Sequence, residues 1–190
     1  ESLLELTAID NGYRTCGGLY LGYSIGESAA LHGIGPTWEE EGITVERMTQ
    51  RDAEHLLCDP AVERRHSIRA AYYLPQEAQI RNPHHLRALR TACESLGVII
   101  ESHNRAIDFD VAGDRVAYVT SRDGMRTAER FVICAGAWST SVIRQLGLSI
   151  DVIPIRGQML LFKCPERPLQ PIVNCGSRYI VPRADGHVLV

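Results

Sequence analysis

Apolar positions along the chain alternate between spacings of three to four and spacings of two, the periods of helices and of strands. Leu3, Leu4, Leu6 and Ile9 predict the end of an amphipathic helix, closed by the turn pair Asn11-Gly12. Residues 13–22 predict a strand interrupted at Gly17-Gly18, where a plain bulge or a close backbone approach, a ligand's among them, calls for glycine. Residues 26–42 have helical spacing that Gly33, Gly35 and Pro36 are expected to break, because proline removes a backbone donor and turns its predecessor away from the helix. A short strand is expected at 43–48, then a helix to Leu57 capped by the Thr49 hydroxyl, with Asp52 near its positive end. Residues 67–74 predict another strand. Asn82 as N-cap, Pro83 in the first helical position and Gly97 as the left-handed stop mark the clearest helix of the chain. Leu86, Leu89, Cys93 and Leu96 share one of its faces, and a strand is expected to begin at 98–100.

In the second half, Ile107, Phe109 and Val111 alternate with polar neighbours, as do Val116 and Tyr118 beyond Ala112-Gly113-Asp114, which predicts a hairpin with one wet face. A further reversal is expected at Asp123-Gly124. The run Phe131-Val132-Ile133-Cys134 is apolar throughout, as for a strand covered on both faces. Strands are also expected at 152–162, at 179–182 and, after an Asp185-Gly186 turn, at 187–190.

Composition narrows the function classes. With 45% hydrophobic and 23% charged residues the chain can bury a core. A net charge of -3 gives no basic stripe for phosphates and 6% aromatic residues no stacking platform, which argues against a nucleic-acid partner. No apolar run reaches the roughly 18 to 20 residues of a membrane span, and the first residues lack the features of a signal peptide. The six cysteines are widely spaced with no C-x-x-C pair, so free thiols, a cytoplasmic location and no zinc site are expected. The pair His84-His85 points in two directions on a helix and reads as surface or capping residues, not metal ligands.

The segment that carries chemistry is residues 131–139, an apolar strand running into Ala135-Gly136-Ala137 and a helix start at Trp138-Ser139. Small residues admit a ligand or another backbone to contact distance, and amides at a helix start favour an anion such as a pyrophosphate. On the residues alone, tight strand-to-helix packing explains Gly136 equally well. The A-G-A-W-S segment resembles the FAD-dependent D-amino-acid oxidase superfamily, and Tyr179-Ile180-Val181-Pro182-Arg183, followed by Asp185-Gly186 and an apolar strand, resembles its glycine oxidase branch. The order of the helix at 82–97, the strand after it and the hairpin matches as well, so the resemblance runs over essentially the whole chain.

That resemblance implies an α/β (α+β) fold: part of an FAD-binding Rossmann-like domain interleaved with a substrate domain built on an antiparallel or mixed sheet. Residues 1–98 are expected to be mostly substrate domain, 99–147 the returning strands of the FAD domain, and 148–190 substrate-domain strands. It implies FAD as cofactor, approached by Ala135 and Gly136, with Ala106, nine residues beyond Gly97, touching the adenine through its backbone. It implies Tyr179 against a small amino-acid substrate, although a strand tyrosine that satisfies its hydroxyl on a neighbour is common. No G-x-G-x-x-G stands in the 190 residues, nor an arginine assignable to the substrate carboxylate, Arg156, Arg178 and Arg183 included. These are expected before Glu1 and after Val190, so the chain reads as an interior stretch, unable to hold FAD or turn over substrate alone. No catalytic residue is assigned, and a homo-oligomer is left open. The implied reaction is oxidation of glycine or a D-amino acid to the imine with release of peroxide, with thiazole synthesis for thiamine as an associated outcome. A flavin dehydrogenase of the same superfamily and the flavin domain of a tRNA-modifying enzyme are the alternatives.

Overall fold

The computed structural model describes residues 2–57, 67–165 and 169–190. In chain order its elements are α1 (Leu3–Thr7), β1 (Arg14–Thr15), β2 (Gly18–Gly22), α2 (Ile25–Glu40), β3 (Glu46–Arg47), α3 (Gln50–Leu56), β4 (Ala70–Leu74), β5 (Ala78–Gln79) and α4 (Asn82–Ser95). There follow β6 (Ala106–Ala112), β7 (Arg115–Ser121), β8 (Gly124–Arg126), a 3-10 turn (Gly136–Trp138), α5 (Ser139–Arg144), β9 (Leu161–Lys163), β10 (Ile172–Cys175), β11 (Arg178–Pro182) and β12 (His187–Leu189). They form two compact units, residues 1–96 with 159–190 and residues 97–158.

The first unit is a mixed sheet of seven strands in the order β3-β4-β2-β10-β11-β12-β9. Only β2 and β10 run parallel; the other neighbours are antiparallel. Strand alternation divides its apolar side chains between two faces. On one, Leu19, Leu21, Ala71 and Val173 pack with Ala53 and Ile68; on the other, Ala70, Tyr72 and Leu74 pack under α2 with Leu31 and Trp38.

Local hydrogen bonds start three of the helices, and at α3 the cap is the one expected. Ser2 with Glu5 and Ser24 with Glu27 form capping boxes at α1 and α2, and the Thr49 hydroxyl accepts the Asp52 amide at α3. The expected break in α2 is absent: the helix runs through Gly33, Gly35 and Pro36 to Glu40. Proline inside a helix costs about 3 kcal/mol, but here packing wins. Trp38 meets Tyr20 in a tilted and Tyr72 in an edge-to-face arrangement, at ring separations of 5.0 and 6.4 Å, and the buried Gly35 lies beside the Tyr72 ring. At α4 the N-cap is Arg81 rather than Asn82, and no side chain caps it; Pro83 stands in the first turn. Its buried stripe is Ala88 and Ala92, not the leucines, of which Leu86 and Leu96 are 66% and 72% exposed. His84 and His85 each reach the loop before β1, at Asp10 O and the Asn11 amide.

The glycine pair in the first strand separates β1 from β2, and what approaches is the protein itself. Gly17 has a left-handed φ of +73° under Tyr73, and a Cβ on Gly18 would sit 2.0 Å from Glu77 Oε2. β10 escaped the sequence reading; Ile172 and Val173 are a short apolar pair that becomes a strand through its pairing with β2 and β11.

The second unit contains the β6-β7-β8 meander, reversing at Gly113 (φ +67°) and Gly124 (φ +115°) as expected. Three expected strands are absent or short. Residues 98–100 and 131–134 pair with nothing among the described residues, and of 152–162 only Leu161 and Phe162 enter a strand, β9, which extends to Lys163. A strand exists through its ladder, so an apolar run without a partner stays unassigned however suitable its residues.

Candidate functional site

Register across the large sheet assembles a row of polar side chains. Tyr72 of β4 pairs with Tyr20 of β2, Tyr20 with Asn174 of β10, and Asn174 with Tyr179 of β11. Residues in register share a face, and their neighbours Leu19, Val173 and Ile180 pack on the opposite one. α2 covers the Tyr72–Tyr20 end. At the other end Tyr179 remains 39% exposed, and its hydroxyl makes no hydrogen bond among the described residues.

Glu77 enters this row from the turn between β4 and β5. Its carbonyl accepts the amides of Cys16 and Gly17, which fixes the backbone, and its carboxylate occupies the space that Gly18 leaves over β2. Oε1 accepts the Asn174 amide at 3.3 Å, while Oε2 is buried with no hydrogen-bond partner among the described residues. Burial first, and then the Glu77 charge, push the Tyr20 phenol well above its ordinary value.

A cleft of about 160 Å³ opens between the β1-β5 pair and the turn from β11 to β12, lined among others by Arg14, Arg81 and Arg183. Each of these guanidiniums has a partner within the protein, although Arg14 Nε is buried with none among the described residues. Arg14 donates to Pro182 O at 3.0 Å, Arg183 to Ile80 O at 2.8 Å and Gln79 Oε1 at 3.3 Å, and Arg81 pairs with Asp185 at 2.9 Å. The amide and imidazole of His187, then Arg81, draw Asp185 down to about 2. Arg178 is 79% exposed and 3.9 Å from Glu27.

The residues expected at FAD lie in the second unit. Ala106 opens β6 opposite Ser121, beside a register shift. Ala135 and Gly136 lead into the 3-10 turn and α5, and no side chain caps either helix start. Gly136 takes φ +54° with no atom within 4 Å of where a Cβ would stand. Thr140 Oγ1 ties α5 to the chain beyond it, contacting Ile150 O, Val152 O and Val152 N at 3.2 to 3.3 Å. An exposed left-handed glycine between two alanines, with backbone amides at an uncapped helix start, fits a nucleotide diphosphate, which needs close backbone approach and donors rather than side chains. Tyr179 belongs to the first unit and these three residues to the second.

Among the described residues no three His, Cys, Asp or Glu side chains gather as metal ligands, and no helix is long and apolar enough to cross a membrane. Cys16, Cys93, Cys134, Cys164 and Cys175 are free thiols; Cys58 lies outside the described residues. Sequence reasoning missed Glu77 and Asn174. The glycine pair was the signal for the first, since a glycine inside a strand marks a close approach; nothing marked the second until β10 paired with β11.

Over 121 residues the chain is 40% identical to a glycine oxidase of Pseudomonas putida, a match covering 63% of this chain and 33% of the relative. It is 29% identical along its full length to the bifunctional protein ThiO/ThiG of a Nostoc species, covering 28% of that protein. The crystal structure of glycine oxidase from Geobacillus kaustophilus superposes with a TM-score of 0.87 at 26% identity, covering 98% of this chain and 50% of that one. The chain thus spans half or less of the length of these relatives. A family model described as FAD dependent oxidoreductase matches residues 1–190, and the chain belongs to that DAO family of FAD-dependent oxidoreductases.

Proposed function

We propose that this chain works within an enzyme that oxidises a small amino acid at its CH–NH2 group, with glycine as the first substrate and D-amino acids as the next. The observation that carries the reading is Tyr179, an exposed tyrosine with an unpartnered hydroxyl in a sheet whose other tyrosines, Tyr20, Tyr72 and Tyr73, are packed. Its hydroxyl donates to the substrate carboxylate and fixes the α-carbon in place. In the second unit, Ala135 and Gly136 bring bare backbone to the diphosphate half of FAD, and the Ala106 backbone meets the adenine. FAD, when bound, supplies the acceptor for the hydride of the α-carbon, and oxygen takes up the electrons to give hydrogen peroxide. The first unit is the substrate domain, and the second belongs to the FAD domain. Nostoc's bifunctional ThiO/ThiG supports a place for the product in thiazole synthesis for thiamine.

The test is a panel of glycine, sarcosine and D-amino acids given to the FAD-loaded enzyme carrying this chain, with peroxide as readout. Glycine should give peroxide in proportion to turnover. Turnover with an artificial electron acceptor but no peroxide would move the enzyme to the dehydrogenases. Tyr179→Phe should keep the flavin content and lower kcat/KM by the roughly 1.5 to 3 kcal/mol of a hydrogen bond to a charged group; unchanged kinetics would remove Tyr179 from the site.

A further inference from the structure

We infer that Asn174 is a second substrate contact, the residue that reads the amino group, and that Glu77 is the positioning residue that turns its amide for the task. The inference rests on the proposed role of Tyr179 and deepens it.

The argument begins with the sheet order β2-β10-β11. Asn174 stands between Tyr20 on one side and Tyr179 on the other, all three on one face. Glu77 lies over Gly18 of β2, so it meets Asn174 from the β2 side. A carboxylate only accepts hydrogen bonds, so the Asn174 amide must present Nδ2 to it. Oδ1 is then turned away from the carboxylate, and the strand on the other side of Asn174 is β11, with Tyr179 as its cross-strand partner. Oδ1 accepts no hydrogen bond from the described residues. The open end of the row therefore offers a donor, the Tyr179 hydroxyl, beside an acceptor, Asn174 Oδ1, on cross-strand partners whose Cβ atoms are about 5 Å apart.

An α-amino acid is the complementary ligand, with an acceptor carboxylate and a donor amine separated by one carbon. The neutral amide also suits the chemistry. Hydride can leave the α-carbon only when the nitrogen lone pair is free to form the imine, and a carboxylate in direct contact would stabilise the ammonium form instead. Glu77 is held one residue back, with Oε2 buried where no substrate reaches it.

The experiment uses the FAD-loaded enzyme carrying this chain and two probes: glycine, and acetate, which keeps the carboxylate and lacks the amine. Asn174→Ala should raise the KM for glycine about tenfold, one hydrogen bond's worth, and leave the inhibition constant of acetate unchanged. Glu77→Gln, which lets the Asn174 amide turn over, should shift glycine in the same direction by less and also spare acetate. Tyr179→Phe should weaken both probes. If Tyr179→Phe weakens both and Asn174→Ala neither, or both alike, this inference fails and the role of Tyr179 stands. If neither variant changes either probe, the site lies elsewhere and both readings fall. Flavin absorbance of each variant reports that the fold and cofactor are retained.

Discussion

The two compact units use similar residues to different ends. Every buried apolar side chain described belongs to the first unit, from Leu19 at 0% exposure to Val188 at 6%. The second is as rich in apolar residues, yet Val132 is 84% exposed, Ile99 85% and Ile155 90%. The first closes a seven-stranded sheet from its own segments; the second closes only a three-stranded meander. The difference shows that apolar composition supplies the drive to bury and strand partners decide whether it is satisfied. The proposed function follows the same division, since a substrate pocket needs rigid side chains on a packed sheet, whereas a nucleotide needs accessible backbone.

The sharpest way to break the comparison is a matched pair of truncations in this chain. Leu19→Ala should cost about 2 to 5 kcal/mol in a denaturation experiment, as for a fully buried leucine. Val132→Ala should cost no more than about 0.5 kcal/mol, as for a surface position. Equal costs would show that the second unit hides a core of its own. A smaller effect is expected in hydrogen exchange, where the amides of β2 should be protected and those of residues 131–134 should exchange nearly as fast as an unstructured peptide. Protection of 131–134 would reveal a strand partner.

The smallest expected effect is electrostatic and belongs to the first unit. Asp185 titrates at about 2 in the fold against an ordinary value of 3.8, so it favours the folded state. That contribution is complete above the unfolded value and is lost as pH falls through about 2. Asp185→Asn should therefore lower the melting temperature slightly at neutral pH, with the two proteins converging below pH 4 or so. A difference that persists undiminished in acid would assign the residue a role other than its charge.

Much of this architecture was legible in the sequence. Ser2, Ser24 and Thr49 start helices by local hydrogen bonds, and Gly113, Gly124 and Gly186 turn the chain with positive φ; such signals need only neighbours in sequence. The misreadings were all tertiary. Pro36 was expected to break a helix that Trp38 and the tyrosine rings hold together, the α4 residues that become buried are Ala88 and Ala92 and not the leucines that share its face, and residues 131–134 were expected in a ladder that is absent among the described residues. Tyr179 came from a family pattern, whereas Asn174 and Glu77 required β10 in register with β2, a pairing over 150 residues of chain that no local period encodes.

The central claim is that the chain serves amino-acid oxidation by FAD, and anaerobic mixing of the FAD-loaded enzyme with glycine tests it most directly. Glycine alone should bleach the flavin's visible band, and admitting oxygen should restore the band with the appearance of hydrogen peroxide. A band that stays unchanged with glycine, sarcosine and every small D-amino acid, in enzyme whose flavin a chemical reductant still bleaches, would contradict the account.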